Sequence, residues 1–212
     1  MRKRFARRED LGLTPAEFRV LQRLDTPHKI QAYLNSIPQN FEPDGQTALS
    51  VREVLRQRRS HCIEGGMLAA AALWVHGERP LLLDLSAEND YDHVVALFRR
   101  NGCWGAISKT NHYALRYRDP VYRTLRELAI SYFHEYANRR GQKSLRKRTR
   151  TGAGEDPQAS LAPDFATSRI EGCHAAELRG IGCARRHRDL VGHGAWVGVE
   201  ERPPLHFAAD GV

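Results

Sequence analysis

The segment that most constrains this 212-residue chain runs from Cys62 to His76, CIEGGMLAAAALWVH. Alanine, leucine and methionine favour helix, and Glu64 is the one carboxylate in the run. A helix apolar nearly all round has no face to offer water, so it belongs in the middle of a domain, packed on both sides. Ser60 is placed to open it, and Gly77 to end it as the C′ residue. Its unbroken apolar part, Met67 to Val75, is far shorter than the ~20 residues a bilayer-spanning helix needs.

The elements that cover this helix follow from local signals. Thr14-Pro15-Ala16-Glu17 and Ser50-Val51-Arg52-Glu53 both have the pattern of a capping box, a hydroxyl followed three residues on by a carboxylate, and each predicts a helix start. Thr26-Pro27 predicts another, with Ile30, Tyr33, Leu34 and Ile37 on its apolar side until Pro38 stops it. After Gly77 the apolar period shortens: residues 80–85, 93–98 and 103–108 read as strands, the last two joined by Asn101-Gly102, a strong hairpin signal. A further strand is expected over 113–117. Asp119-Pro120 then reads as the cap of a long helix with the stripe Val121, Leu125, Leu128, Tyr132 and Tyr136, ended by Gly141. Helices, then strands, then a helix argue for an α+β domain over 1–145, a small antiparallel sheet packed against the Cys62 helix. Residues 146–212 read as a tail without periodicity, a candidate for sequence foreign to the fold.

Charge narrows the classes of function. The formal net charge is +8, the basic residues are mostly arginine, and two basic clusters stand out, Arg2 to Arg8 and Lys143 to Arg150. Either cluster could neutralise phosphates, but basic residues alternate with acidic ones on the expected helices and no nucleic-acid-binding motif accompanies them. The N-terminus has basic residues without the apolar stretch of a secretory signal, no membrane span is expected, and four unpaired-looking cysteines suit a reducing compartment, so a cytoplasmic location is expected. Cys173, Cys183, His187 and His193 have the atoms for zinc but not the close pairing of a zinc knuckle; no metal or cofactor is expected.

Chemistry concentrates at Cys62. At a helix start, unpaired backbone N–H groups and the positive helix end favour the thiolate. His93, heading an apolar strand after Asp90-Tyr91-Asp92, is the candidate base, whereas His61 is expected to point elsewhere from the same helix turn. A third group should orient the imidazole. A two-residue turn at Asn101-Gly102 puts His93 opposite Thr110 with Ser108 on the diagonal; a three-residue loop puts it opposite Asn111. Asn111 is preferred, as in cysteine–histidine–asparagine enzymes, with Ser108 and Asp92 as the alternatives.

These residues resemble a family. His61-Cys62-Ile63-Glu64-Gly65-Gly66-Met67 before an Ala/Leu-rich helix, Asp92-His93-Val94-Val95-Ala96-Leu97, and the Gly102-Cys103-Trp104-Gly105 strand are similar to the core of bacterial transglutaminase-like proteins, over about Thr14 to Leu145. The resemblance implies a papain-like core with Cys62 as nucleophile and His93 as base and acid. It implies a thioester route acting on a peptide or protein amide, with an oxyanion hole at the helix start to which Gln39 or Asn40 adds a side-chain donor. Transglutaminase-like domains usually carry Asp four residues after the strand tryptophan, and here Trp104 leads to Ser108. The readings carried forward are a cysteine-dependent amide hydrolase or acyltransferase, a non-catalytic binding module on the same scaffold, and, last, a nucleic-acid-binding basic protein.

Overall fold

The computed structural model describes residues 5–42, 47–138 and 140–152. The proposed zinc set and most of the tail lie outside the described residues, as do Arg2 to Arg4 of the first basic cluster.

Four helices come first: α1 (Pro15–Arg23), α2 (Pro27–Ser36), α3 (Val51–Gln57) and α4 (Cys62–Val75). Each of the first three starts where a hydroxyl predicts it. Thr14, Thr26 and Ser50 accept from the backbone N–H three residues on, and in α1 Glu17 completes the box by accepting from Thr14 N–H at 2.7 Å. Helix α4 is buried throughout from Glu64 to Val75, and it contacts α1, α2 and α3 on one side and strands β1 (Leu81–Ala87) and β2 (His93–Arg100) on the other. Its cap is His61 rather than Ser60, which puts Cys62 at the first helical position.

The sheet is antiparallel and five-stranded in the order β4-β3-β2-β1-β5, with β3 Cys103–Ile107, β4 Tyr117–Tyr122 and β5 Leu145–Gly152. Alternation along each strand sends residues to two cores. Ala96, Phe98 and Ile107 face the α1–α4 layer, whereas Leu83, Leu85, Val95, Leu97 and Ala106 pack with Leu128, Ala129 and Tyr132 of α5 (Leu125–Phe133). The chain is thus α+β, with a helical layer on one sheet face and α5 on the other.

Three expectations are corrected. Residues 113–115 form a 3-10 turn, and the strand follows at Tyr117–Tyr122, so Asp119-Pro120 lies within β4 instead of capping a helix. Proline is tolerated there because β4 is an edge strand and need not donate on its outer side. Helix α5 therefore starts at Leu125, capped by the Thr124 hydroxyl; Leu128 and Tyr132 are buried as expected, but Val121 is exposed on β4. Finally, β5 continues the fold past Leu145 to Gly152, pairing with β1 at the opposite edge.

The hairpin register decides where the candidate site lies. Arg100 faces Cys103 and Ala96 faces Ile107 across a two-residue turn whose Asn101 (φ 50°) and Gly102 (φ 81°) both adopt the left-handed backbone of a type I′ turn. Pairing with β3 stops at Ala96, so the first residues of β2, His93 to Val95, are held by β1 alone. The sheet opens at that point.

Candidate active site around Cys62

Cys62 is half-buried at the start of α4, and two histidine side chains, those of His61 and His93, act on its thiol. His61 precedes it at the helix cap, and His93 comes from the opening between β2 and β3. The expectation that His61 would point elsewhere is corrected by its non-helical backbone (φ −103°, ψ −168°), which turns the ring back over the first turn. Burial alone would raise the Cys62 thiol, but hydrogen bonds from His61 and His93 and their charge outweigh it and hold the thiol well below its ordinary range.

Each histidine has its own supporting set. His61 Nε2 lies 3.1 Å from Thr47 O, 3.2 Å from Glu64 Oε1 and 3.5 Å from Glu42 Oε1. All three are acceptors, so Nε2 carries a proton. Burial disfavours the charged ring, yet the hydrogen bonds to Cys62, Glu42 and Glu64 prevail, and His61 stays protonated well above the usual histidine range. Glu64 is wholly buried and accepts from Asn40 Nδ2 (3.1 Å), Thr47 Oγ1 (2.9 Å), Leu49 N–H (2.8 Å) and His61 N–H (2.9 Å). These donors and the His61 charge offset its desolvation and bring its carboxyl to about 2.

His93 is supported by groups without charge. Its Nε2 lies 3.1 Å from Ser108 Oγ and 3.4 Å from Leu115 O. Ser108 Oγ also lies 2.7 Å from Leu115 O and 2.6 Å from Arg116 O, which only accept, so the single hydroxyl hydrogen points to a carbonyl. The oxygen's lone pairs are left to receive Nε2–H. The network therefore selects the tautomer with the proton on Nε2, leaving Nδ1 as the basic nitrogen for the thiol. Buried Tyr136 ties down the turn before His93 by donating to Tyr91 O, while Asp92 Oδ1 accepts from Ala87 N–H at 2.7 Å.

Asn111 is solvent-exposed, and the His93 contact goes to Ser108. The physical reason is the register: the two-residue turn places Asn111 out of line with His93, and the preference for it rested on the longer loop. Asn40 is likewise committed, its amide donating to Thr47 Oγ1 and Glu64. Gln39 forms a parallel bridge with Ser60, two residues before Cys62, and its Oε1 is buried with no hydrogen-bond partner among the described residues.

Sequence reasoning missed His61, Glu42 and Glu64. One signal was present: His61-x-x-Glu64 has capping-box spacing with an imidazole in the hydroxyl's place. Among the described residues no group of three or more histidine, cysteine, aspartate or glutamate side chains is arranged to hold a metal ion, and no helix is long and apolar enough to cross a membrane. Of the first basic cluster, Arg7 pairs with Asp10 and Arg8 with Glu9. No protein-family model matches the chain, and neither does any curated protein.

Proposed function

We propose that this chain is a cysteine-dependent amide hydrolase or acyltransferase with a papain-like, transglutaminase-like core, acting on a peptide or protein amide through a thioester. The observation that carries the reading is the thiol of Cys62, held low between two imidazoles, one of which has its far nitrogen committed to Ser108. A structural cysteine needs neither partner.

The chemistry assigns each group a step. Cys62 Sγ, as thiolate, attacks the carbonyl carbon, and the carbonyl oxygen takes the electron pair. First-turn N–H groups of α4, which lack intrahelical acceptors, face the developing charge, with the Gln39 amide as a side-chain donor. His93 gives its Nδ1 proton to the leaving amine as the C–N bond breaks, leaving a thioester. Water or a second amine then attacks, His93 takes its proton, and Cys62 leaves as thiolate. His61, kept charged by Glu42 and Glu64, stabilises the thiolate throughout.

The test is the rate of iodoacetamide labelling at each cysteine, read by peptide mass spectrometry at pH 6 and pH 8 in wild type and His93→Ala. Fast labelling of Cys62 at pH 6, slowed in His93→Ala, is expected. Slow labelling at the rate of the other cysteines overturns the proposal in favour of a binding module on the same scaffold.

A further inference from the structure

We infer that Gln31, on α2, is a positioning residue that sets the tautomer of His93 by clamping the main chain of Ser108. Its catalytic meaning rests on the function proposed above; the clamp itself does not.

The argument begins with a polar residue where an apolar one would be expected. Gln31 is 6% exposed, on the buried side of α2 with Ile30 and Leu34. A buried amide needs partners for its oxygen and both hydrogens. They come from the place where the sheet opens. Ser108 is the residue after β3, fully buried, and its peptide groups have no ladder partner on β2. Its N–H donates to Gln31 Oε1 at 3.1 Å, and Gln31 Nε2 donates to its carbonyl at 2.9 Å. The side-chain amide thus pairs with the peptide as a neighbouring strand would. The remaining Nε2 hydrogen goes to Asn35 Oδ1 at 3.0 Å, so the amide has one orientation only.

That clamp controls an angle. With its peptide fixed on both sides, Ser108 presents Oγ to Leu115 O and Arg116 O, and only then does the hydroxyl accept from His93 Nε2. Released, the hydroxyl can turn to donate to Nε2, which would move the proton to Nδ1 and remove the lone pair that takes the thiol's proton. Glutamine is the residue this task needs: glutamate keeps the acceptor for Ser108 N–H but loses the donor for its carbonyl, and leucine loses both. A second tie holds the same strand end to α2, since Lys109 Nζ donates to Leu34 O and Ile37 O. Its ammonium bonds neither Ser108 nor His93, and so supplies a control.

The experiment is a long-range 1H–15N correlation spectrum of the full-length protein at pH 8, assigning the His93 ring, in wild type, Gln31→Leu, Gln31→Glu and Lys109→Met, with Tm for each. Wild type and Lys109→Met are expected to keep the proton on Nε2 in every molecule, while both Gln31 variants show a mixture that includes rings protonated on Nδ1 alone. Gln31→Glu keeps the test open if Gln31→Leu does not fold. Labelling of Cys62 at pH 6 should fall about fivefold in the Gln31 variants, and Gln31→Glu combined with Ser108→Ala should be no slower than Ser108→Ala alone. An unchanged His93 spectrum in both Gln31 variants, or a wild-type ring protonated on Nδ1 and not on Nε2, overturns the inference. Should Cys62 be unreactive in wild type, the proposed function fails, while the spectra still decide the role of Gln31.

Discussion

The two histidines that meet Cys62 sit in opposite surroundings. His61 lies against two carboxylates, Glu42 and Glu64, whereas His93 lies against a hydroxyl and a main-chain carbonyl. Carboxylates fix a positive charge; a hydroxyl backed by carbonyls fixes a tautomer and leaves the ring free to exchange a proton. On the proposed function, the site divides between two rings what one imidazole and one aspartate do in a cysteine–histidine–aspartate triad. Position 108 is a serine, and the buried carboxylate of the site is Glu64, set against His61.

The sharpest break of this comparison is a turnover measurement. Release of p-nitroaniline from a peptide anilide requires protonation of the leaving amine, which the proposed mechanism gives to His93 alone. His93→Ala should lower acylation by roughly 10²–10⁴, the size of a lost general acid. His61→Ala should only raise the Cys62 thiol toward its ordinary range, so that the thiolate fraction at pH 6, and the rate with it, drops by about tenfold or more while the pH 9 rate stays nearly intact. Equal losses at all pH values would show that the rings are not specialised.

Removing Glu64 tests the charged side. Glu64→Ala leaves Asn40, Thr47 and the N–H groups of Leu49 and His61 without their buried acceptor, and should cost about 3–5 kcal/mol in denaturant unfolding. The pH dependence has a definite sign. The folded carboxyl lies at about 2 against an ordinary 4.5, so its stabilisation is present above about pH 4.5 and is lost as pH falls toward 2. Glu64→Gln should flatten stability over that acid window, on the order of 3 kcal/mol of the wild-type loss disappearing. An unchanged acid limb would place the burden on other carboxylates.

On the neutral side, installing a carboxylate where transglutaminase-like domains usually carry one should harm rather than help. In Ser108→Asp the new oxygens face Leu115 O and Arg116 O, both of which accept, so the group must take up a proton or break the turn. A loss of about 2 kcal/mol is expected, with slower labelling of Cys62 at pH 6. Faster labelling would mean that the position merely lacks its triad acid.

Much of this was legible in the sequence, for physical reasons particular to each element. Hydroxyl caps at Thr14, Thr26 and Ser50 and the apolar run of α4 act within a few residues, so they survive without knowledge of the fold. Asn101-Gly102 specifies a two-residue turn and hence the register that decides between Ser108 and Asn111. The sheet edges were not legible. Natural edges discourage pairing with proline and charge, so β4 carries Asp119-Pro120, which reads as a cap, and β5 carries the basic run Arg146 to Arg150, which reads as a solvated tail. The role of His61 was hidden for a different reason. It depends on Glu42 and Thr47, brought over from the segment before α3, and no periodicity reports a contact of that kind.

The smallest expected effect sharpens the neutral side further. Ser108→Ala removes the hydroxyl between Nε2 and two carbonyls but introduces no charge, and Leu115 O already lies 3.4 Å from Nε2. That carbonyl can take over the proton, so the Nε2–H tautomer should persist with a weaker restraint. Stability should fall by about 1 kcal/mol, the net worth of one buried hydrogen bond, and pH 6 labelling of Cys62 by about fivefold. The pH at which labelling reaches half its maximum should move less than in His61→Ala, because no charge beside the thiolate has been lost. A change as large as that of His61→Ala would mean that Ser108 governs the charge on His93 and not only the place of its proton, and the two histidines would then share one task.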